Sequence, residues 1–102
     1  MNWIIEKLET QLVNGSLTNV VITAYWRCSA VLDGFYGTVW GYKHLTPVNP
    51  DDFIPYNELT QEQVLNWIWA DGVNKELAEK QVLSQIELQK NPPVTVLPNP
   101  WL

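Results

Sequence analysis

Between Val20 and Val31 the chain alternates. Val20, Ile22, Ala24, Trp26, Cys28 and Ala30 make one apolar set, and Val21, Thr23, Tyr25, Arg27 and Ser29 make an amphipathic set between them. A period of two in a run this rich in β-branched and aromatic residues predicts a strand with two distinct faces. Asp33-Gly34 follows, a pair suited to positive φ and therefore to a tight hairpin. The return strand, residues 35 to 42, sets Tyr36, Thr38, Trp40 and Tyr42 on one face and Phe35, Gly37, Val39 and Gly41 on the other. Glycines alternating with bulkier residues call for something packed closely there, a helix or the rings of Trp26. Upstream, residues 3 to 12 alternate loosely, with Ile4, Glu6, Leu8 and Thr10 opposite Trp3, Ile5, Lys7, Glu9 and Gln11. Asn14-Gly15 supplies the turn into the next strand. The three runs predict an antiparallel meander.

The period changes after residue 59. Thr60 can cap a helix, Gln63 stands three residues later to complete a capping box, and Leu59 and Val64 occupy the positions of a hydrophobic staple. Val64, Trp67, Ile68 and Asp71 follow helical spacing, with Leu65 and Trp69 on a neighbouring face, and Gly72 is suited to end the helix as its C′ residue. Asn74 can cap a second helix, with Glu76 in its first turn and Ala78, Val82, Leu83 and Ile86 facing inward, until Asn91-Pro92-Pro93 stops it. Residues 43 to 58, with Pro47, Pro50, Pro55 and the pair Asp51-Asp52, read as an irregular connection pinned by Phe53, Ile54 and Tyr56. Residues 92 to 102 carry four prolines among Val94, Val96, Leu97, Trp101 and Leu102, a pattern that predicts an extended arm. The expected fold is α+β. A three-stranded antiparallel meander packs against two C-terminal helices in one domain, residues 1–91, followed by a proline-rich arm, residues 92–102.

Composition narrows the functional classes. A chain of 102 residues holds one core, and six Trp exceed what so small a core comfortably buries, which points to aromatic residues at an interface. The net charge of −5, with only six scattered Lys and Arg, argues against a nucleic-acid partner. Glu6 and Glu9 interrupt any signal-like apolar run, and no stretch has the length to span a bilayer. His44 stands without a second His or a Cys near it, and Cys28 falls on the apolar face of the best strand with no base beside it. Asp51-Asp52 lacks the spaced oxygen ligands of a Ca²⁺ loop and reads as a solvated turn. No catalytic, cofactor or metal site is expected.

Protein-binding residues are sought instead in two places. Tyr25, Arg27, Trp40 and Tyr42, with Tyr36, form an aromatic sheet face. Such a face serves either as a binding surface or as a set of cross-strand pairs that stabilise the sheet. Trp69 is either a core contact or an exposed anchor. The arm is the stronger candidate, because Val94, Val96, Leu97 and Trp101 make sense only when covered, by the same domain or by a neighbour.

Three segments together resemble a family of small uncharacterised proteins encoded by tailed bacteriophages, many of them marine. They are Val21-Ile22-Thr23-Ala24-Tyr25-Trp26-Arg27-Cys28-Ser29-Ala30 with Asp33-Gly34, then Phe53-Ile54-Pro55-Tyr56-Asn57-Glu58-Leu59-Thr60 with Gln63-Val64 and Trp67, and last Gln85-Ile86 with Gln89-Lys90-Asn91-Pro92-Pro93 and Leu97-Pro98-Asn99-Pro100-Trp101. The resemblance implies a phage origin and a virion component assembled in the host cytoplasm. The expected function is a non-enzymatic structural or accessory protein, a capsid decoration or tail-associated subunit. It would self-associate and dock onto a larger phage structural protein. A soluble phage factor that binds a host protein is the alternative.

Overall fold

The computed structural model describes residues 1–45 and 53–101. Three strands, β1 (Asn2–Asn14), β2 (Leu17–Leu32) and β3 (Phe35–His44), form one antiparallel sheet in the order β1-β2-β3. A 3-10 turn, Tyr56–Glu58, leads into α1 (Gln61–Ala70) and α2 (Lys75–Lys90). Both helices contribute to the core on one face of the sheet, so the fold is α+β. Of the connection, Phe53 and Ile54 are half-buried and Tyr56 is exposed. Pro47, Pro50, Asp51 and Asp52 lie outside the described residues.

Local chemistry accounts for the element ends. Asp33 and Gly34 take φ of 52° and 81°, the left-handed pair of a two-residue hairpin, and join Leu32 to Phe35 in direct register. Thr60 Oγ1 accepts from Gln63 N–H at 3.2 Å while Gln63 Oε1 accepts from Thr60 N–H at 2.9 Å, so both halves of the capping box are closed. Gly72, at φ 106°, ends α1, and Val73 N–H reaches back to Ile68 C=O at 3.0 Å, a Schellman closure. Asn74 Oδ1 caps α2 through Leu77 N–H at 2.9 Å. Thr60→Ala is expected to lower stability by about 1 kcal/mol and the thermal midpoint by roughly 4 to 8 °C. An unchanged melt would mean that the box carries no stability.

The core joins Trp3, Ala24 and Cys28 of the sheet to Val64, Leu65 and Ile68 of α1 and Ala78, Val82 and Ile86 of α2. Trp3 anchors it. Its ring lies 5.3 Å from that of Trp26 and meets the Trp69 ring edge-on, also at 5.3 Å, and its Nε1 donates to Glu79 Oε2 at 2.9 Å. Both glycines of β3 are explained by close approach. A Cβ on Gly37 would stand 2.5 Å from the Val82 backbone oxygen, and one on Gly41 would stand 2.9 Å from the Trp26 ring. The helix therefore covers one glycine and the tryptophan covers the other.

Simple periodicity misplaces three features. In β1 the register shifts between Ile5 and Lys7, which makes Glu6 an extra residue. Leu8 thereby joins Trp3 and Ile5 against the core, rather than opposing them, because one inserted residue reverses the phase of a strand. A second irregularity, between Glu9 and Thr10, leaves Ile22 of β2 without a partner on β1, and Ile22 is exposed while Val21 is buried. Thr23 keeps to the amphipathic face as expected, in register with Glu9 and His44, yet is only 1% exposed. Leu83 was expected to face inward but lies on the solvent side of α2, since Ala78, Val82 and Ile86 already fill the narrow stripe that meets the sheet.

Glutamines bond to part of the edge of each outer strand. Thr38 N–H donates to Gln85 Oε1 at 2.9 Å, and Gln85 Nε2 donates back to Thr38 C=O at 2.8 Å, which reproduces the pairing of a fourth strand with a side-chain amide. Gln89 Nε2 adds a bond to Tyr36 C=O at 2.6 Å, and on β1 Ile5 N–H donates to Gln61 Oε1 at 3.0 Å. Four backbone groups that could otherwise pair with another strand are thus satisfied within the chain.

Candidate functional site

Because both helices lie on one face, the other face of the sheet is open along much of its length. Register sets its residues in rows across the three strands. Asn2, Ser29 and Thr38 form one row, Ile4, Arg27 and Trp40 the next, then Lys7, Tyr25 and Tyr42, and finally Glu9, Thr23 and His44. The bulge at Glu6 allows both Ile4 and Lys7 to stand on this face. Tyr36, Trp40 and Tyr42 are 50%, 65% and 62% exposed, a ladder of rings along β3.

The rows are held in place by contacts between neighbouring side chains. The Arg27 guanidinium lies 5.2 Å from the Trp40 ring centre, pairs with Glu6 Oε1 at 3.1 Å and donates to Thr38 Oγ1 at 3.1 Å. The Lys7 ammonium lies 4.4 Å over Tyr25, whose ring centre is 6.0 Å from that of Tyr42. Tyr42 in turn meets His44 at 5.4 Å. Each cation is seated on a ring, so the face presents aromatic area more than unpaired charge. Tyr25 and Arg27 are half-buried by these neighbours, and Trp40 and Tyr42 stand clear.

At the end of the face a polar network replaces the rings. Thr23 Oγ1 lies 3.1 Å from Glu9 Oε1 and 2.9 Å from His44 Nδ1. A carboxylate only accepts, so the single hydroxyl proton goes to Glu9 and the Nδ1–H of His44 donates to the threonine oxygen. Thr23 is therefore not activated by His44, and its burial keeps it from a substrate. The three residues tie β1, β2 and β3 together in one row. Cys28 is fully buried, and burial, with the Glu79 carboxylate adding to it, pushes its thiol pKa up, away from the reactive thiolate. Among the described residues no group of three or more His, Cys, Asp or Glu is placed to hold a metal ion, and no helix is long and apolar enough to cross a membrane.

Trp69 does not join this surface. It sits on the helix layer against Trp3, half-buried, with the Lys75 ammonium 4.3 Å over its ring. The arm is placed differently again. Lys90 pairs with Asp33 at the β2–β3 hairpin, which holds the end of α2 there and keeps the Asp33 carboxyl below its usual pKa range. From that point the arm runs into solvent, with Val94, Val96, Leu97 and Trp101 each at least 74% exposed. It does not pack on its own sheet. Leu102 lies outside the described residues.

Tyr25, Arg27, Trp40 and Tyr42 are thus brought together as expected. Thr38 joins them as alternation places it, whereas Ile4, Glu6 and Lys7 are the members that alternation alone does not place, since they depend on the bulge in β1 or on its pairing. Comparison with known proteins finds that a family model described as a domain of unknown function, DUF7936, matches residues 1–101. No curated protein and no solved structure matches the chain.

Proposed function

The chain belongs to the DUF7936 family, and we propose that it is a non-enzymatic structural or accessory subunit of a tailed-bacteriophage particle, a capsid decoration or tail-associated protein that docks onto a larger phage protein. The observation that carries the docking reading is the simultaneous exposure of a pre-ordered aromatic sheet face and an apolar arm in one small chain. Cross-strand contacts stabilise the face without covering Tyr36, Trp40 and Tyr42, and contiguous exposed aromatic area of this kind marks interaction sites. The phage assignment is supported by the three segments that resemble tailed-phage proteins, and assembly in the host cytoplasm follows from it.

The test is quantitative mass spectrometry of gradient-purified particles from a phage that encodes this chain. The chain is expected at a stoichiometric copy number that survives repeated purification. Recovery only in the soluble fraction of infected cells, in complex with a host protein, would replace this reading with that of a host-directed factor.

A further inference from the structure

We propose that the arm of one copy lies along the aromatic sheet face of a second copy, so that the protein self-associates by exchanging arms. The inference rests on the docking reading and names the first partner of that surface, another molecule of the same chain.

The occupant is argued from four observations. First, the arm is offered but not used in cis. Val94, Val96, Leu97 and Trp101 are 82%, 95%, 74% and 78% exposed, and the face of the same molecule is open at Tyr36, Trp40 and Tyr42. Each copy therefore has one uncovered segment and one uncovered surface, and a reciprocal exchange covers both. Second, the chemistries match. Residues 92 to 101 contain no charged side chain, and the cations of the face are already seated over rings with Arg27 paired to Glu6. Proline-rich extended segments dock into aromatic-lined surfaces because their backbone is ordered in advance and little freedom is lost. Prolines 92, 93, 98 and 100 supply that order here.

Third, the lengths agree. Ten residues of polyproline span about 31 Å at about 3.1 Å per residue. The ten residues of β3 span about 34 Å at roughly 3.4 Å per residue. One arm thus has the length to run along the ring ladder from Tyr36 to Tyr42, with the turn at Pro100-Trp101 at its far end. Fourth, the competing mode is partly blocked. An extended segment usually joins a sheet by pairing with an edge strand. Here Gln85 and Gln89 occupy backbone groups of β3, and Gln61 occupies one on β1. Those contacts narrow strand pairing at both edges, while the rings of the face stay uncovered.

The test uses two full-length variants and their mixture, by sedimentation velocity at micromolar concentration. Val96→Asp with Trp101→Ala disables the arm, and Trp40→Ala with Tyr42→Ala disables the face. All four positions are exposed, and circular dichroism checks that each variant keeps the fold. The unaltered chain is expected to associate. Each variant alone should associate about 30-fold more weakly or worse, the loss expected on removing a buried aromatic anchor. An equimolar mixture should regain a one-to-one complex, since an intact arm then meets an intact face. The proposal is overturned if the unaltered chain is a monomer, if the arm variant associates as well as the parent, or if the mixture associates no better than its components. A particle-bound chain that fails this test leaves the docking reading standing without the exchange. An exchanging chain absent from particles does the reverse.

Discussion

Gly37→Ala is expected to destabilise the protein by about 3 kcal/mol, at the upper end of what overpacking a filled core costs. The added methyl would stand 2.5 Å from the Val82 carbonyl oxygen, 3.1 Å from Ile86 Cγ1 and 3.3 Å from Val82 Cγ1. A side chain alone could rotate away, but the nearest atom is backbone in the middle of α2. Relief therefore requires the helix to lift from β3, and that motion strains the paired bonds between Gln85 and Thr38. Urea denaturation should report the loss as a lower midpoint at nearly constant slope. A cost under about 1 kcal/mol would mean that α2 slides freely on the sheet, contrary to the packing described. Gly15, whose added Cβ meets nothing within 4 Å, makes an informative contrast. Its φ of 60° means that alanine there tests backbone strain alone.

Ile68→Ala should cost a comparable amount, about 3 to 4 kcal/mol, for the opposite reason. Ile68 is completely buried in the cluster shared by both helices and the sheet. Truncation removes apolar area from the core and leaves a cavity that the surrounding Trp3, Val64 and Val82 are held from filling, Trp3 by its ring contacts and its bond to Glu79. Against a total stability of roughly 5 to 15 kcal/mol, either change uses a large fraction. Leu83→Ala, on the solvent side of α2, is the matched control and should cost far less. Equal losses at the two positions would contradict the assignment of the helix faces.

The candidate surface was legible in part. Tyr25, Arg27, Trp40 and Tyr42 share a face because side chains alternate along a strand, and that rule holds through β3 and the distal half of β2, where pairing is unbroken from Thr23 to Leu32. The aromatic face had two open readings from the residues alone, sheet stabilisation or binding. Cross-strand contacts do stabilise it, yet three of its rings remain exposed. Trp69 could not be assigned from spacing, because its position at the rim of the helix layer is settled by the Trp3 ring it meets.

What the sequence by itself determined is whatever depends on neighbours along the chain. The Asp33-Gly34 hairpin, the capping box at Thr60 and Gln63, the Gly72 stop and the Asn74 cap are all local solutions to backbone hydrogen bonding and φ preference. Their residues stand within a few positions of one another. Even the glycines of β3 announced a close approach, since only a missing side chain explains that pattern in a strand. The tertiary structure decided what depends on partners distant in sequence. The bulge at Glu6 is a mismatch between two strands and exists only when they pair. The glutamine amides that bond to the edge of β3 come from a helix more than forty residues away from Thr38 and Tyr36. The arm's exposure was likewise beyond local rules. Its composition says that it should be covered, but only the placement of α2 at the hairpin, and of both helices on the opposite face, leaves arm and aromatic surface uncovered together.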